Sequence, residues 1–141
     1  MEIERAYATR EKTVNNLTTS TFLEKEPKAQ ISFSIRLEGR MYFVLVEHIA
    51  FICVEGETVY LVDFNGDKHL ISKTLESLEK AISAQQFYRI NRQMIVNRQA
   101  IEGVESYANQ RMMVHLRVAT PEKVVVPRLK VRPFLNWMEK G

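Results

Sequence analysis

The sequence predicts a mainly β domain built from antiparallel strands, with one or two short helices. Apolar and polar residues alternate strictly over Ile31–Leu37, which is typical of a half-buried strand. Asn65-Gly66, a dipeptide that tolerates positive φ, lies between the strand-like runs Thr58–Phe64 and Asp67–Ser72 and predicts a hairpin. Strands do not alternate with long helices along the chain, so a parallel doubly wound sheet is not expected.

Further strands are predicted by short apolar runs between turn residues. The run Met41–Val46 follows a turn at Gly39 and is almost wholly apolar, which predicts a strand covered on both faces. Similar runs predict strands at residues 49–54, 87–92, 93–96, 100–107, 111–118 and 123–126. Residues 31–139 should therefore fold as one domain rich in short strands.

Two segments have helical periodicity. Apolar residues spaced three and four apart predict a helix over Thr74–Ala84, for which Ser72 or Thr74 supplies the N-cap. A closing amphipathic helix is predicted over Leu129–Met138, and Pro133 is expected to kink or restart it because proline lacks the backbone N–H.

Residues 1–30 differ from the rest of the chain. Positions 9–21 are rich in Thr, Asn and Ser and have few large apolar groups, so we expect a flexible tail or linker that precedes a domain at 31–139. An apolar run of membrane-spanning length and a signal peptide are both missing from the sequence, and no membrane partner is expected. The single Cys53 cannot form an internal disulfide, which favours a reducing, cytoplasmic compartment.

The sequence lacks the residue patterns of an enzyme or a metal site. The three histidines, His48, His69 and His115, are far apart in the sequence. Neither a Gly-rich phosphate loop nor a nucleophile motif occurs. The acidic pairs Glu55/Glu57 and Asp63/Asp67 bracket turns, where solvated carboxylates are common. We therefore expect no catalytic residue, no metal and no cofactor.

Charge is distributed unevenly along the chain. Residues 1–85 carry 10 Lys/Arg against 13 Asp/Glu, whereas residues 86–141 carry 10 against 4. Nine of the later bases lie between Arg89 and Arg132, which favours a polyanionic partner. Scattered arginines that keep exposed strand edges soluble would give a similar composition, so charge alone leaves the partner open.

The first basic cluster is Arg89-Ile90-Asn91-Arg92-Gln93. It places two guanidiniums and two carboxamides in five residues, and these are the groups that pair with guanine and adenine edges in the major groove. In the alternative interpretation, Asn91 and Asn97 only cap the local backbone.

The second basic cluster is Pro127–Arg132, at the start of the closing helix. Its bases, among them Arg128 and Lys130, are placed to meet a phosphate backbone beside the free amides of a helix N-terminus. A solvated helix end would have the same composition, and this alternative also stays open.

The order of these segments resembles the LytTR DNA-binding domain, found at the C-terminus of many bacterial response regulators. The resemblance runs from about Ile31 to Met138. Its most specific part is the run FYRINRQMIVN at residues 87–97, which is similar to the family's aromatic, Arg, His/Asn, Arg/Asn, Ser, apolar and Val-Asn segment. The segment 49–52, the helix at 75–78 and Val125-Val126-Pro127-Arg128, similar to the family's Val-Ser-Arg, support it.

The resemblance implies that loops, instead of a recognition helix, enter successive major grooves of double-stranded DNA. Family contact positions correspond here to the loop around Glu57–Val59, to Arg92 with Asn91 beside it, and to Arg128. Together with the basic clusters, the candidate DNA-binding residues are Arg92, Arg128, Asn91, Arg89, Thr58, Glu57 and Lys130. This chain departs from the family in having acids in the first loop and Pro127 where a serine is usual.

The sequence thus predicts a sequence-specific DNA-binding domain of a bacterial transcriptional regulator, binding paired repeats as a homodimer. The resemblance also implies a receiver domain or sensor partner outside this chain, because the first 30 residues are too short for a receiver. The alternative is a non-enzymatic protein-interaction module whose basic face holds an acidic partner. RNA binding is less favoured, since Phe87 and Tyr88 resemble core and edge residues more than a stacking platform.

Overall fold

The computed structural model describes residues 29–140. The predicted tail, residues 1–30, therefore lies outside the described residues except for its last two positions. Across the described range, no helix combines the length and the apolar character needed to cross a membrane.

Ten strands and two α-helices make up the described part of the chain. Short 3₁₀ turns at residues 46–48, 98–100, 108–110 and 128–130 join some of them. The bounds are β1 Ser32–Leu37, β2 Arg40–Leu45, β3 Ile49–Glu55, β4 Thr58–Asp63, β5 Lys68–Ile71, α1 Leu75–Ala81, β6 Phe87–Asn91, β7 Met94–Asn97, β8 Ile101–Tyr107, β9 Arg111–Leu116, β10 Val124–Val126 and α2 Val131–Lys140.

The strands form three antiparallel sheets. The central sheet has five strands in the order β5-β4-β3-β7-β6, while β1 and β2 form a separate hairpin and β10-β9-β8 a three-stranded sheet. Every strand pair in residues 29–140 is antiparallel. The predicted fold class, mainly β with two short helices, is confirmed.

The core consists of two apolar clusters that share the central sheet. One cluster joins the central strands to the three-stranded sheet and α2 through residues such as Val96, Val126 and Phe134. The other joins them to the β1–β2 hairpin and α1 through residues such as Phe33 and Leu78. The central sheet is thus covered on both faces, and this explains why β3 is buried at every position from 49 to 53.

The β1–β2 hairpin corrects one prediction. Met41–Val46 was expected to be covered on both faces, but Met41, Phe43 and Leu45 are 49%, 65% and 39% exposed. These side chains alternate with Tyr42 and Val44, which face the protein. The hairpin has only one packed face because it forms its own sheet instead of joining the central one.

Both helix predictions hold, with a change at Pro133. The Thr74 hydroxyl accepts a hydrogen bond from the Ser77 N–H at 3.1 Å and caps α1, as expected. α2 begins at Val131, so Pro133 lies in its first turn and does not interrupt it. A first-turn N–H has no partner within the helix, so proline is tolerated there.

Candidate nucleic-acid interface

Three turns that carry the candidate DNA-binding residues lie close together. The backbone N–H of Val54, near the end of β3, donates to the carbonyl of Gln93 in the β6–β7 turn at 3.0 Å. The Asn91 side chain in that turn donates to the Val125 carbonyl of β10 at 3.0 Å. Since β10 leads directly into the 3₁₀ turn at 128–130, these two bonds bring the end of β3, the β6–β7 turn and the strand before the 128–130 turn close to one another.

The β6–β7 turn is braced from within. Asn91 and Met94 are paired across it, which leaves Arg92 and Gln93 at the tip. The Asn91 carboxamide oxygen accepts a hydrogen bond from the Gln93 N–H at 2.9 Å. With its amide nitrogen bonded to β10, both polar ends of Asn91 are engaged inside the protein, which suits a residue that orients the turn.

Arg89 braces the same turn from the side. Its Nη2 donates to the Arg92 carbonyl at 2.9 Å and its Nε donates to the Asn91 carbonyl at 3.3 Å. Its Nη1 lies 3.5 Å from a carboxylate oxygen of Glu79 on α1. Arg89 is therefore committed to backbone carbonyls and an ion pair, whereas the Arg92 side chain it supports is exposed.

The second basic cluster forms the 3₁₀ turn before α2. The Lys130 N–H closes the turn on the Pro127 carbonyl at 2.9 Å, and Arg128 and Lys130 are exposed. Lys130 and Arg92 line the same groove, of about 530 Å³, whose walls include Tyr88 and Trp137. Among the described residues, neither Arg92 nor Arg128 forms an ion pair with a carboxylate.

The β3–β4 turn contributes acids to this surface. Glu55 and Thr58 are paired across Gly56-Glu57, and Gly56 has a φ of 66°, as a tight hairpin turn requires. Glu57 is exposed and Thr58 is half-buried. Glu55 lies 3.2 Å from the Lys68 ammonium, and this hydrogen-bonded pair raises the pKa of Lys68.

Several arginines of the basic half are used as internal braces. Arg98 donates from Nη1 to the carbonyls of Trp137 and Met138 at 2.9 and 3.0 Å. Arg117 donates to the Gln99 carbonyl at 3.0 Å, and Arg111 to the Ala108 carbonyl at 2.9 Å. The basic residues of the second half of the chain therefore have two roles, because some bind backbone carbonyls inside the protein and others face solvent.

Asn97 makes structural hydrogen bonds inside the protein, in line with the alternative interpretation of this residue. It is 1% exposed, and its amide nitrogen donates to the Ile49 carbonyl at 2.8 Å. Its oxygen accepts from the Gln99 N–H at 2.9 Å and from the Gln86 side chain at 2.6 Å. Local backbone capping thus accounts for one bond of each asparagine, from the Gln93 and Gln99 N–H groups, while their other bonds reach distant segments.

The titratable residues outside this surface form small local networks. His69 bridges Asp63 and Tyr42, with its Nε2 2.9 Å from the carboxylate and its Nδ1 2.8 Å from the phenol oxygen. Cys53 is buried, and burial raises the pKa of its thiol to about 11. Within residues 29–140 no group of three or more His, Cys, Asp or Glu side chains is arranged to hold a metal ion.

The described residues combine three antiparallel sheets with exposed cations on neighbouring turns. The family model of the LytTr DNA-binding domain matches residues 39–139, and this chain belongs to that family. It is 31% identical over 111 residues to the sensory transduction protein LytT of Enterococcus faecalis, a match that covers 79% of this chain and 44% of that protein. The chain thus spans less than half of that relative's length.

A solved structure supports the same fold. The LytTr DNA-binding domain of a Bacillus cereus response regulator superposes with a TM-score of 0.66, covering 78% of this chain and 98% of that domain. The two sequences are only 14% identical, so this likeness concerns the arrangement of the strands. The predicted family resemblance is confirmed by these matches.

Proposed function

We propose that this chain is the DNA-reading part of a bacterial response-regulator type transcription regulator, and that it acts in the cytoplasm without catalytic activity. Residues 1–30 serve as a tail or linker, and a receiver domain or sensor partner supplies the input signal. Two copies bind paired repeats of double-stranded DNA. These points go beyond the family membership of the chain.

The observation that carries the proposal is that some polar side chains of these turns bind the protein backbone while their neighbours are exposed. Arg89 and Asn91 form hydrogen bonds with backbone groups of the β6–β7 turn and of β10, while Arg92 at the tip of the turn is exposed. Arg128 and Lys130 are exposed on the adjoining turn. A rigid turn that presents an arginine loses little side-chain and loop entropy on binding, which favours a specific contact.

Each candidate residue takes a role that its chemistry allows. Arg92 grips the O6 and N7 atoms of a guanine in the major groove, and Arg128 contacts a base or a phosphate. Lys130 neutralises a phosphate. Glu57, with Thr58 beside it, accepts a hydrogen bond from a cytosine amino group, because an acid on this surface would repel phosphate. Asn91 and Arg89 hold the central turn in place.

The test is a comparison of R92A and R128A with the unchanged chain. Mobility-shift titrations would use a duplex selected from a random pool and an unselected duplex, each at two salt concentrations. Loss of a base contact should cost about 1–3 kcal/mol on the selected duplex only, whereas loss of a phosphate contact should weaken both duplexes and reduce the salt slope by about one.

Arg36 provides a matched control. It is an exposed arginine on the β1–β2 hairpin, which packs with α1, away from the side of the central sheet that carries β10 and α2. We expect R36A to bind both duplexes like the unchanged chain. If R92A and R128A also bind unchanged, the assignment of these turns is wrong. If no duplex shows steep salt-dependent binding, an interaction module for an acidic protein is the better description.

A further inference from the structure

An exposed leucine lies between the two cations of the 128–130 turn. Leu129 has 77% of its surface exposed, while Arg128 and Lys130 on either side are also exposed. The other large exposed apolar side chains of the described residues lie elsewhere, on the β1–β2 hairpin and its approach, on β5 and on β8. Leu129 is therefore the one large apolar side chain that this basic turn presents to solvent.

Packing within the protein does not explain why a leucine occupies position 129. It stands two residues before the start of α2, the position from which an apolar residue often packs on the fourth residue of a helix. That fourth residue is Phe134, which is 0% exposed and already covered by the core, with Tyr88 and Trp137 as ring neighbours. At 77% exposure Leu129 takes little part in this packing, so its apolar surface is available to a partner.

We infer that Leu129 contacts the C5 methyl group of a thymine in the major groove and so contributes to sequence specificity. This inference rests on the proposed DNA-binding function. The thymine methyl is the apolar feature of the major-groove edge, and small apolar side chains recognise it. The proposed function places Arg128 and Lys130 against the DNA, so the exposed side chain between them is brought to the same contact region.

The probe is the selected duplex with each thymine replaced, one at a time, by deoxyuridine, which removes only the methyl group. At one thymine per half-site, the unchanged chain should bind the deoxyuridine duplex about fourfold more weakly, the value expected for one buried methyl. L129A should lose a similar factor on the thymine duplex and should no longer distinguish thymine from deoxyuridine at that position.

Leu37 supplies the control, since it is also an exposed leucine, 57% accessible, and lies at the end of β1 on the β1–β2 hairpin. L37A should keep the full preference for thymine over deoxyuridine. Thermal unfolding of L129A should match the unchanged chain, because the side chain makes little internal contact.

Two results would overturn the inference while leaving the proposed function intact. In the first, R92A and R128A weaken binding but no deoxyuridine duplex differs from its thymine parent. In the second, L129A binds more weakly yet still discriminates thymine from deoxyuridine, which would place Leu129 on the sugar–phosphate backbone or between base steps. If the unchanged chain selects no duplex at all, both the function and the inference are wrong.

Discussion

Arg98 should stabilise the fold more than any exposed arginine, although it belongs to the same basic stretch. Its guanidinium makes four hydrogen bonds, two to the Gln85 carbonyl and one each to the carbonyls of Trp137 and Met138. It also stacks over the Trp137 ring at 3.9 Å. The last two carbonyls belong to the final turn of α2, where backbone acceptors lack partners within the helix and a cation is favourable.

The cost of removing this side chain can be worked out from these contacts. A hydrogen bond from a charged donor contributes about 1.5–3 kcal/mol and a cation–π contact about 1 kcal/mol. Water can reach part of the vacated site because Arg98 is half-buried, so the full sum is not expected. We expect R98A to lower the free energy of unfolding by about 2–4 kcal/mol, and R98K, which cannot reach both elements at once, by about half as much.

Urea unfolding of the full chain measures this directly. Trp137 is the single tryptophan, so its fluorescence reports on the site itself, and circular dichroism gives an independent probe of the sheets. R132A is the matched control, because Arg132 is exposed on the same helix; its stability should change by less than about 0.5 kcal/mol. If R98A unfolds at the same urea concentration as R132A, the bracing role of Arg98 is refuted.

Two further predictions concern the half-buried Asp63 and the buried Cys53. Burial of the Asp63 carboxyl favours its neutral form, but hydrogen bonds from His69 and from the backbone N–H groups of Asp67 and Asn65 outweigh this and lower its pKa. The stability that Asp63 contributes is present above its unfolded pKa, about 3.9, and is lost as the pH falls through its folded pKa. In urea unfolding between pH 5 and pH 2, the free energy of unfolding should therefore change less with pH in D63N than in the unchanged chain. Equal pH dependence in the two proteins would contradict the assignment. Burial raises the pKa of the Cys53 thiol to about 11. A thiol reagent at pH 8 should therefore leave Cys53 of the native chain unmodified and modify it after unfolding in urea. Rapid modification of the native chain would show that Cys53 is accessible.

The strands and turns could be predicted from the sequence because their signals are local. The alternation in β1 and the apolar runs gave strand boundaries within two residues of those observed. The exception, the exposed face of β2, arose because an apolar run cannot indicate whether a second layer covers it. Met41 and Phe43 look like core residues in the sequence, and only the separate hairpin leaves them exposed.

The candidate interface was predictable only as a set of basic segments. Arg89 and Arg92 lie three residues apart and carry the same charge, yet one braces a turn and the other faces solvent. The sequence gives no signal for an exposed Leu129, because it is the first residue of the predicted helix Leu129–Met138 and any apolar residue there is compatible with packing. Its exposure follows from the start of α2 at Val131, two residues later than predicted.

The sequence by itself determined the mainly β fold, the family and the segments that carry the positive charge, since periodicity, turn residues and motifs act over a few neighbouring positions. The tertiary structure decided which cations are available to a partner. Arg98 reaches carbonyl groups about forty residues away, and Asn91 reaches one 34 residues away. A polar side chain is used inside the protein when folding brings a backbone acceptor within about 3 Å of it, and otherwise it stays available to a partner. The spacing of residues along the sequence does not indicate which distant acceptors will come that close.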